Sequence, residues 1–444
     1  MTASATGILP RRLGTLAATG TIVGIMVGSG IFRIPSSVAG HLGSPGLFML
    51  VWVVGGLLAL AGALVVGEFT AMFPVPGGHY IQLREGTGEM SAFVFAWTTV
   101  FLLRPVALGA LGLVFAAYLG TLIPVTAPHE RLVAMSLIVV VSAVNYRSVA
   151  ASGVIATLLS AAKVLALGAM VIGIFLVVPT SASSNTVAAA PSTLHGFGLA
   201  LVTVMWTFSG WGSSTSIAGE VRNAERVMPR VLFGGVSFVV LLFLAINAAY
   251  LHALPMAEIA ASKTVAADAA TRAFGNVGGS LIALLVVVAT FGSMHATMLS
   301  APRMLFALGR DTPALRRLAA VHPEFETPGI AVAVTCVLGV VYLTTNTFEE
   351  LAGAYVLGSW PFYVLTAVGL FRLRRLRPDL PRPFRTPGYP IVPGLFLTAA
   401  LVMVINGVWA DPVQALKGSA LILSGVPVFW LMRPECRPWG RPAR

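Results

Sequence analysis

Two glycine-rich runs interrupt long apolar stretches of the chain, and backbone of this kind can bind ions. The first run is Gly24–Phe32 (GIMVGSGIF), and the second is Trp206–Ser214 (WTFSGWGSS). Each glycine lowers helix propensity by about 1 kcal/mol relative to alanine, so both runs favour a break in a helix. A single such run is better explained by close helix packing through small residues. Two of them favour two broken helices.

Broken helices offer a specific chemistry. A break exposes backbone N–H groups where one half-helix starts and C=O groups where the other ends. The N–H groups attract a carboxylate, and the C=O groups attract an ammonium. Two facing breaks can therefore hold an α-amino acid zwitterion without a charged side chain. We predict a substrate site at these two runs, near the membrane midplane, as in inverted-repeat transporters.

The elements that carry these runs are membrane-spanning helices. Of 444 residues, 57% are hydrophobic and 10% are charged, and the mean hydropathy of +0.88 excludes a soluble enzyme, a disordered chain and a nucleic-acid-binding module. A bilayer-spanning helix needs about 20 mostly apolar residues. Spans are predicted at about 13–39, 46–73, 90–123, 131–147, 150–178, 196–220, 228–252, 278–306, 329–346, 351–371, 390–410 and 415–432. All must be helical, because the bilayer leaves an open strand edge without partners.

The basic residues predict the orientation of these spans. Of 28 lysines and arginines, 21 lie in the loops on one side, 4 lie on the other side and 3 lie within spans. By the positive-inside rule, both termini of this multi-pass protein face the cytoplasm of a cell membrane. The same distribution explains the net charge of +12 without a nucleic-acid partner.

Six motifs in order resemble the amino acid–polyamine–organocation (APC) superfamily, most closely its L-type amino acid transporter branch. They include Gly28–Phe32 with Pro35, Pro74–Tyr80, Leu103-Arg104-Pro105, Glu220–Asn223, Arg303–Phe306 and Pro387–Pro393. The resemblance implies one transporter domain over 1–444 with the LeuT-type fold of 12 transmembrane helices. It is a 5+5 inverted repeat with broken helices 1 and 6. The repeats cover about 13–178 and 196–371, and helices 11 and 12 cover about 390–432.

The resemblance also implies the parts of a substrate site. The N–H groups of Ser29 and Gly30 would receive the carboxylate, and the Trp206 ring would close the site toward the outside. The ammonium would be received by the backbone carbonyls of Met26, Trp206 and Ser209. The predicted substrate-binding residues are Met26, Gly28, Ser29, Gly30, Trp206, Ser209, Gly210 and His295.

The sequence departs from the family pattern near this site. Ser209 replaces a glycine, Gly212 replaces an asparagine and His295 replaces an asparagine. His295 is a lone intramembrane histidine, for which a satisfied core position is favoured over direct substrate contact. Ser209 and His295 lie close to the predicted site, so these two departures bear on which amino acid is bound rather than on the fold.

Lys163 is the ionisable residue that most needs a reason, because a charge in the bilayer centre costs about 3 kcal/mol or more. It lies about a dozen residues from either end of its span, too deep for snorkelling. The family places a lysine here where sodium-coupled relatives bind a cation. We therefore predict sodium-independent transport, with Ser293 as the acceptor for the ammonium.

Two other ionisable residues lie in or beside the spans. Arg33 is equally compatible with a vestibule role and with an interface anchor. Glu68 is expected to pair with cytoplasmic arginines.

The function predicted is secondary transport of neutral L-amino acids, by exchange or by proton-coupled symport. A cationic amino acid or polyamine permease of the same fold would need an acidic residue near the breaks, and none lies there. A channel would need a continuous polar lining.

Enzyme motifs, cofactor motifs and metal-ligand spacings are absent from the sequence, and Cys336 and Cys436 are the only cysteines. The partners predicted are the amino acid, the lipid bilayer and, for symport, protons. The choice between monomer and homo-oligomer and the need for an accessory subunit stay open.

Overall fold

The computed structural model describes residues 13–147, 153–179, 194–310 and 317–432, apart from residues 323 and 326, and its regular elements are helices. In chain order they are α1 Thr15–Met26, α2 Gly30–His41, α3 Pro45–Met72, α4 His79–Gly86, α5 Glu89–Thr98, α6 Arg104–Leu122, α7 Glu130–Arg147, α8 Gly153–Val177, α9 Leu194–Thr207, α10 Trp211–Ser214, α11 Ala224–Ala253, α12 Met256–Ala261, α13 Val265–Arg310, α14 Gly329–Thr345, α15 Phe348–Leu376, α16 Ile391–Ala410 and α17 Pro412–Met432. A π-helical turn, Thr99–Leu103, joins α5 to α6, and α13 is interrupted at Gly275, whose φ is +68°.

The helices have the length and the apolar surface of membrane spans. In the described part of the chain, eight helices are long and apolar enough to cross a bilayer, and the bent pair α1 and α2 adds a ninth. Three shorter apolar helices, Ala161–Val177, Leu194–Thr207 and Gly329–Thr345, lie on the predicted spans 5, 6 and 9. The all-α polytopic membrane architecture is confirmed, whereas the count of twelve and the inverted repeat stay predictions.

Large apolar side chains on the outside of the bundle fit a lipid environment. Leu165, Leu176, Leu416 and Leu431 are each more than two-thirds exposed. In water such a surface would be costly, but lipid tails solvate it at no cost. The arginines of the two termini that enter the orientation count lie outside the described residues, so the orientation stays a prediction.

Helix packing brings the two glycine-rich runs to the middle of the bundle. The helix α1 packs against α8 and α11, and α2 packs against α9. Beside them, α3 packs along α11 and α6 packs along α13. The two interrupted spans therefore pack against several long helices, which suits irregular backbone at membrane depth.

A buried ion pair fastens one end of this bundle. The Glu68 side chain on α3 is fully buried, and its carboxylate accepts two hydrogen bonds from Arg374 of α15, at 2.9 and 2.6 Å. The Thr386 N–H donates to the same carboxylate at 2.7 Å, and Arg382 lies 3.7 Å from it. The predicted pairing of Glu68 with arginines is confirmed.

Candidate substrate site

The first broken span, α1 plus α2, loses helical geometry over Val27–Ser29. The helix axis bends by 41° here, and the Gly28 N–H turns back to the Met26 carbonyl oxygen at 2.8 Å. Ser29 precedes α2 without capping it through its side chain. The Phe32 N–H donates to the Ser29 carbonyl at 3.2 Å, whereas the described hydrogen bonds include none from the N–H groups of Gly30 and Ile31. These two N–H groups can bind an outside acceptor, and the helix dipole adds a partial positive charge there.

The second broken span, α9 plus α10, breaks one residue after the predicted tryptophan. The helix α9 ends at Thr207, and Gly210 has a φ of +115°, a conformation that side chains other than glycine rarely adopt. The Trp206 carbonyl accepts hydrogen bonds from both the N–H and the hydroxyl of Ser209, at 3.0 and 2.6 Å. Both of its lone pairs are then used, so the Trp206 carbonyl is not free for an ammonium, contrary to our expectation.

The two breaks touch each other at Gly30 and Thr207. A Cβ atom on Gly30 would lie 2.7 Å from the Thr207 Cα and 2.7 Å from its hydroxyl oxygen. The Thr207 hydroxyl is buried, at 3% residue exposure, and has no hydrogen-bond partner in the described part of the chain. A buried polar group without a partner costs about 1–3 kcal/mol, so this hydroxyl would gain from a bound polar ligand.

Sequence reasoning missed Thr207. The only signal available was a hydroxyl beside a tryptophan at the start of a glycine-rich run, and threonines are common in membrane helices. Packing against Gly30 is what gives this residue a place in the site.

The Trp206 side chain packs against α15, a helix that sequence reasoning did not assign to the site. Its ring meets Tyr355 of α15 edge to face, with ring centroids 4.8 Å apart. The Tyr355 side chain also lies near Ser209 and Arg104. Arg104 follows the π-helical turn, a feature frequent at functional sites. Residues from α6, α9 and α15 thus meet beside the second break.

Lys163 lies at the first break, as predicted, but with different partners. Its ammonium donates to the carbonyl of Val27 at 3.0 Å and to that of Gly24 at 3.4 Å, and the residue is only 6% exposed. The Ser293 hydroxyl donates instead to the Ala289 carbonyl of its own helix at 3.0 Å. The predicted bond from Lys163 to Ser293 is not among the described contacts, because the ammonium donates instead to the carbonyls at the C-terminal end of α1.

His295 faces away from both breaks. Its Nδ1 atom lies 3.0 Å from the Asn145 amide nitrogen on α7, and that amide also donates to the Val141 carbonyl at 2.9 Å. The described contacts of His295 do not include a residue of either break. The alternative of a satisfied core histidine accounts for this position.

Gly212 has a steric reason for departing from the family asparagine. A Cβ atom at this position would lie 2.5 Å from the Tyr363 hydroxyl oxygen. The Tyr363 ring stacks on Trp211, with ring centroids 4.6 Å apart. The tyrosine occupies the space that a side chain at 212 would need.

The site has the composition of a binding site for a small organic ion. In the described part of the chain, no group of three or more His, Cys, Asp or Glu residues could hold a metal ion. What the breaks do offer is an uncapped helix N-terminus, a buried hydroxyl and an aromatic pair. Groups of these kinds can bind a carboxylate and enclose a small side chain.

Comparisons with known proteins place this arrangement in a family. The family described as amino acid permease matches residues 13–432. The serine/threonine exchanger SteT of Bacillus subtilis (strain 168) is 27% identical over 436 residues, which cover 96% of this chain and 97% of the relative. The human large neutral amino acids transporter small subunit 2 is 29% identical, covering 96% and 82%. The human b(0,+)-type amino acid transporter 1 is 26% identical, covering 95% and 88%. The chain belongs to the amino acid permease family of membrane transporters.

Proposed function

We propose that the chain exchanges small neutral L-amino acids across the cell membrane without sodium. The observation that carries this proposal is the uncapped start of α2 beside the unpartnered Thr207 hydroxyl. A helix N-terminus with a neighbouring hydroxyl suits an α-carboxylate, and the zwitterion then needs no acidic side chain at the site. The exchange mode is supported by the printed name of one relative, a serine/threonine exchanger.

The absence of sodium from the proposal rests on Lys163. Its ammonium already serves the carbonyls of Val27 and Gly24. A sodium ion would need those oxygens as ligands, and the lysine charge would repel it at this distance. The Lys163 ammonium therefore takes the place of a coupling sodium ion at the first break.

Cationic amino acids and polyamines fit the described residues less well. The cation Lys163 lies at the first break, and the cation Arg104 lies near Tyr355 beside the second break. A second positive charge on the substrate would meet these cations, and the carboxylate of Glu349 is already paired with Arg33. We therefore favour zwitterionic substrates. We also propose that both termini of the protein lie in the cytoplasm.

Counterflow in proteoliposomes tests the proposal. Purified protein is reconstituted with about 10 mM unlabelled L-serine inside, roughly tenfold over a KM of about 1 mM. Uptake of labelled L-serine, L-alanine and L-leucine is then followed. We expect uptake that needs internal amino acid and is unchanged when sodium is replaced by choline. Equal uptake into vesicles without internal amino acid would indicate net transport rather than exchange. Uptake of labelled lysine or putrescine alone would overturn the proposed substrate class.

A further inference from the structure

An arginine-rich segment joins α15 to α16 at the end of the bundle that the Glu68 ion pair fastens. Residues 372–385 contain six arginines and one acidic residue, Asp379. Arg374 and Arg382 face the buried Glu68 carboxylate. The other four arginines are exposed, and we call them the arginine surface: Arg372, Arg375, Arg377 and Arg385. The amino acid site in the middle of the bundle gives these four residues no role.

The arginine surface has few partners within the protein. Arg375 and Arg385 form neither a hydrogen bond nor an ion pair within the described residues. Arg372 donates to a backbone carbonyl just beyond α4 at 3.3 Å, and Arg377 lies 4.0 Å from the Glu85 carboxylate. That carboxylate already binds an arginine of its own helix at 3.0 Å. The surface therefore keeps a positive charge that an anion from outside the protein would neutralise.

Apolar side chains beside the arginine surface indicate that this anion belongs to a lipid. Val368 lies about two helical turns before Arg375 on the same face of α15, and it is 41% exposed. Leu376, the last residue of this helix, is 62% exposed. On α16, Ile391 and Leu395 are one turn apart, and they are 68% and 62% exposed. Such faces of a membrane protein contact lipid tails, so the arginines lie where the tails end and the headgroups begin.

Tyr389 connects the arginine surface to the buried ion pair. The Arg374 guanidinium, which binds Glu68, lies 3.8 Å from the centre of the Tyr389 ring. The Phe371 ring packs against the same tyrosine, with ring centroids 5.4 Å apart. Tyrosine is enriched at membrane–water interfaces, which agrees with a position at headgroup level. Five prolines between positions 378 and 390 restrict the backbone, so the segment is ordered before a ligand binds.

We propose that the arginine surface binds the phosphate group of an anionic phospholipid of the phosphatidylglycerol class. Guanidinium groups bind phosphate oxygens through parallel hydrogen bonds. Clusters of basic residues directly beyond the end of a membrane helix attract anionic lipids. A soluble phosphate would use the arginines alone, whereas a lipid also covers the exposed apolar faces of α15 and α16 with its acyl chains. The inference does not depend on which amino acid is transported.

Lipid binding to the purified protein in detergent tests the proposal. Native mass spectrometry measures the affinity for phosphatidylglycerol and for phosphatidylcholine, and the melting temperature is measured with each lipid. We expect phosphatidylglycerol to bind more tightly and to raise the melting temperature more. The double variant Arg375→Gln, Arg385→Gln should bind phosphatidylglycerol about tenfold more weakly, because each basic residue near an anionic surface adds to the attraction. The matched control is Arg131→Gln, Lys417→Gln, which removes two exposed cations at the starts of α7 and α17 and should keep the wild-type affinity.

A second variant and a soluble probe complete the test. Arg375→Lys, Arg385→Lys keeps the positive charge and loses the parallel donors, so we expect an intermediate affinity, and this variant covers the case in which the glutamine variant does not fold. Inorganic phosphate alone should neither displace phosphatidylglycerol nor raise the melting temperature to the same extent. Equal affinity for the two lipids, an equal loss of affinity in the glutamine variant and its control, or displacement of the lipid by inorganic phosphate overturns the lipid site.

Discussion

The Lys163 ammonium lies 3.0 Å from the Val27 carbonyl oxygen and joins α8 to the last turn of α1, where the first broken span loses its helical geometry. Helix C-terminal carbonyls carry a partial negative charge, so a buried cation is favourable there. Both partners depend on each other. Without the lysine, the carbonyls of Val27 and Gly24 would lose their common donor in a poorly solvated place.

Replacing Lys163 with alanine should abolish exchange or uncouple it, with the protein still folded in detergent. The physical reason is the loss of the charge that orders the first break. Exchange is measured by counterflow, with Lys417→Ala, an exposed lysine on α17, as control. Sodium-stimulated uptake by the wild type at fixed pH and ionic strength would show that the lysine does not stand in for a coupling cation.

Gly30→Ala should reduce amino acid affinity about tenfold or more. Its Cβ atom would fall 2.7 Å from the Thr207 Cα, and overpacking of this kind costs about 1–3 kcal/mol. The protein can relieve this contact by moving the two breaks apart, and the separated breaks would bind every α-amino acid more weakly. A loss of about 1.4 kcal/mol in binding free energy corresponds to a factor of ten in affinity. Substrate-dependent thermal stabilisation in detergent measures the affinity.

Gly28→Ala gives the matched comparison for folding. The nearest atom to a Cβ at 28 is 3.8 Å away, an ordinary contact. We expect the melting temperature of the ligand-free Gly28→Ala protein to stay closer to wild type than that of Gly30→Ala. Equal melting temperatures for the two variants, or wild-type affinity in Gly30→Ala, would mean that the breaks do not need this close approach.

Small and medium neutral amino acids should compete better than tryptophan. The Trp206 ring and the Tyr355 ring close the space beside the breaks, and the Ser209 side chain occupies part of it. A competition panel of alanine, serine, leucine and tryptophan against labelled L-serine measures the order. Ser209→Gly should improve competition by the larger members, and a wild-type preference for tryptophan over alanine would contradict the argument.

Glu68→Gln should destabilise the protein strongly. Its carboxylate is fully buried and binds Arg374 through two hydrogen bonds, and breaking a buried ion pair on one side costs about 3–5 kcal/mol. A double-mutant cycle with Arg374→Gln should give a coupling free energy of about 0.5–3 kcal/mol. Glu85→Gln is the control, because Glu85 is partly exposed and pairs with its neighbour Arg84. A coupling free energy of zero would show that the Glu68–Arg374 pair does not stabilise this end of the bundle.

His295→Asn should leave the order of substrates unchanged. The histidine contacts Asn145 on α7, and an asparagine can supply a hydrogen bond to the same amide. The competition panel measures the order, and the expected KM values stay within twofold of wild type. A changed preference among alanine, serine and leucine would return His295 to the substrate site.

The sequence alone was sufficient for the membrane class, the helical architecture and the positions of the two breaks. Apolar length decides what crosses a bilayer, and glycine runs weaken a helix wherever they occur, so neither inference needs the tertiary structure. The depth of Lys163 followed in the same way, from its distance to the ends of one apolar stretch. Each of these is a local property of a continuous segment.

The partners of the site residues were decided by helix packing. Lys163 meets Val27 across 136 positions, and His295 meets Asn145 across 150. Which face of a membrane helix points at which neighbour depends on packing and not on hydropathy, because both lipid and protein interior accept apolar side chains. That is why the lysine donates to α1 rather than to Ser293, why Thr207 and Tyr355 were missed, and why the Trp206 carbonyl was assigned to a ligand when Ser209 already occupies it.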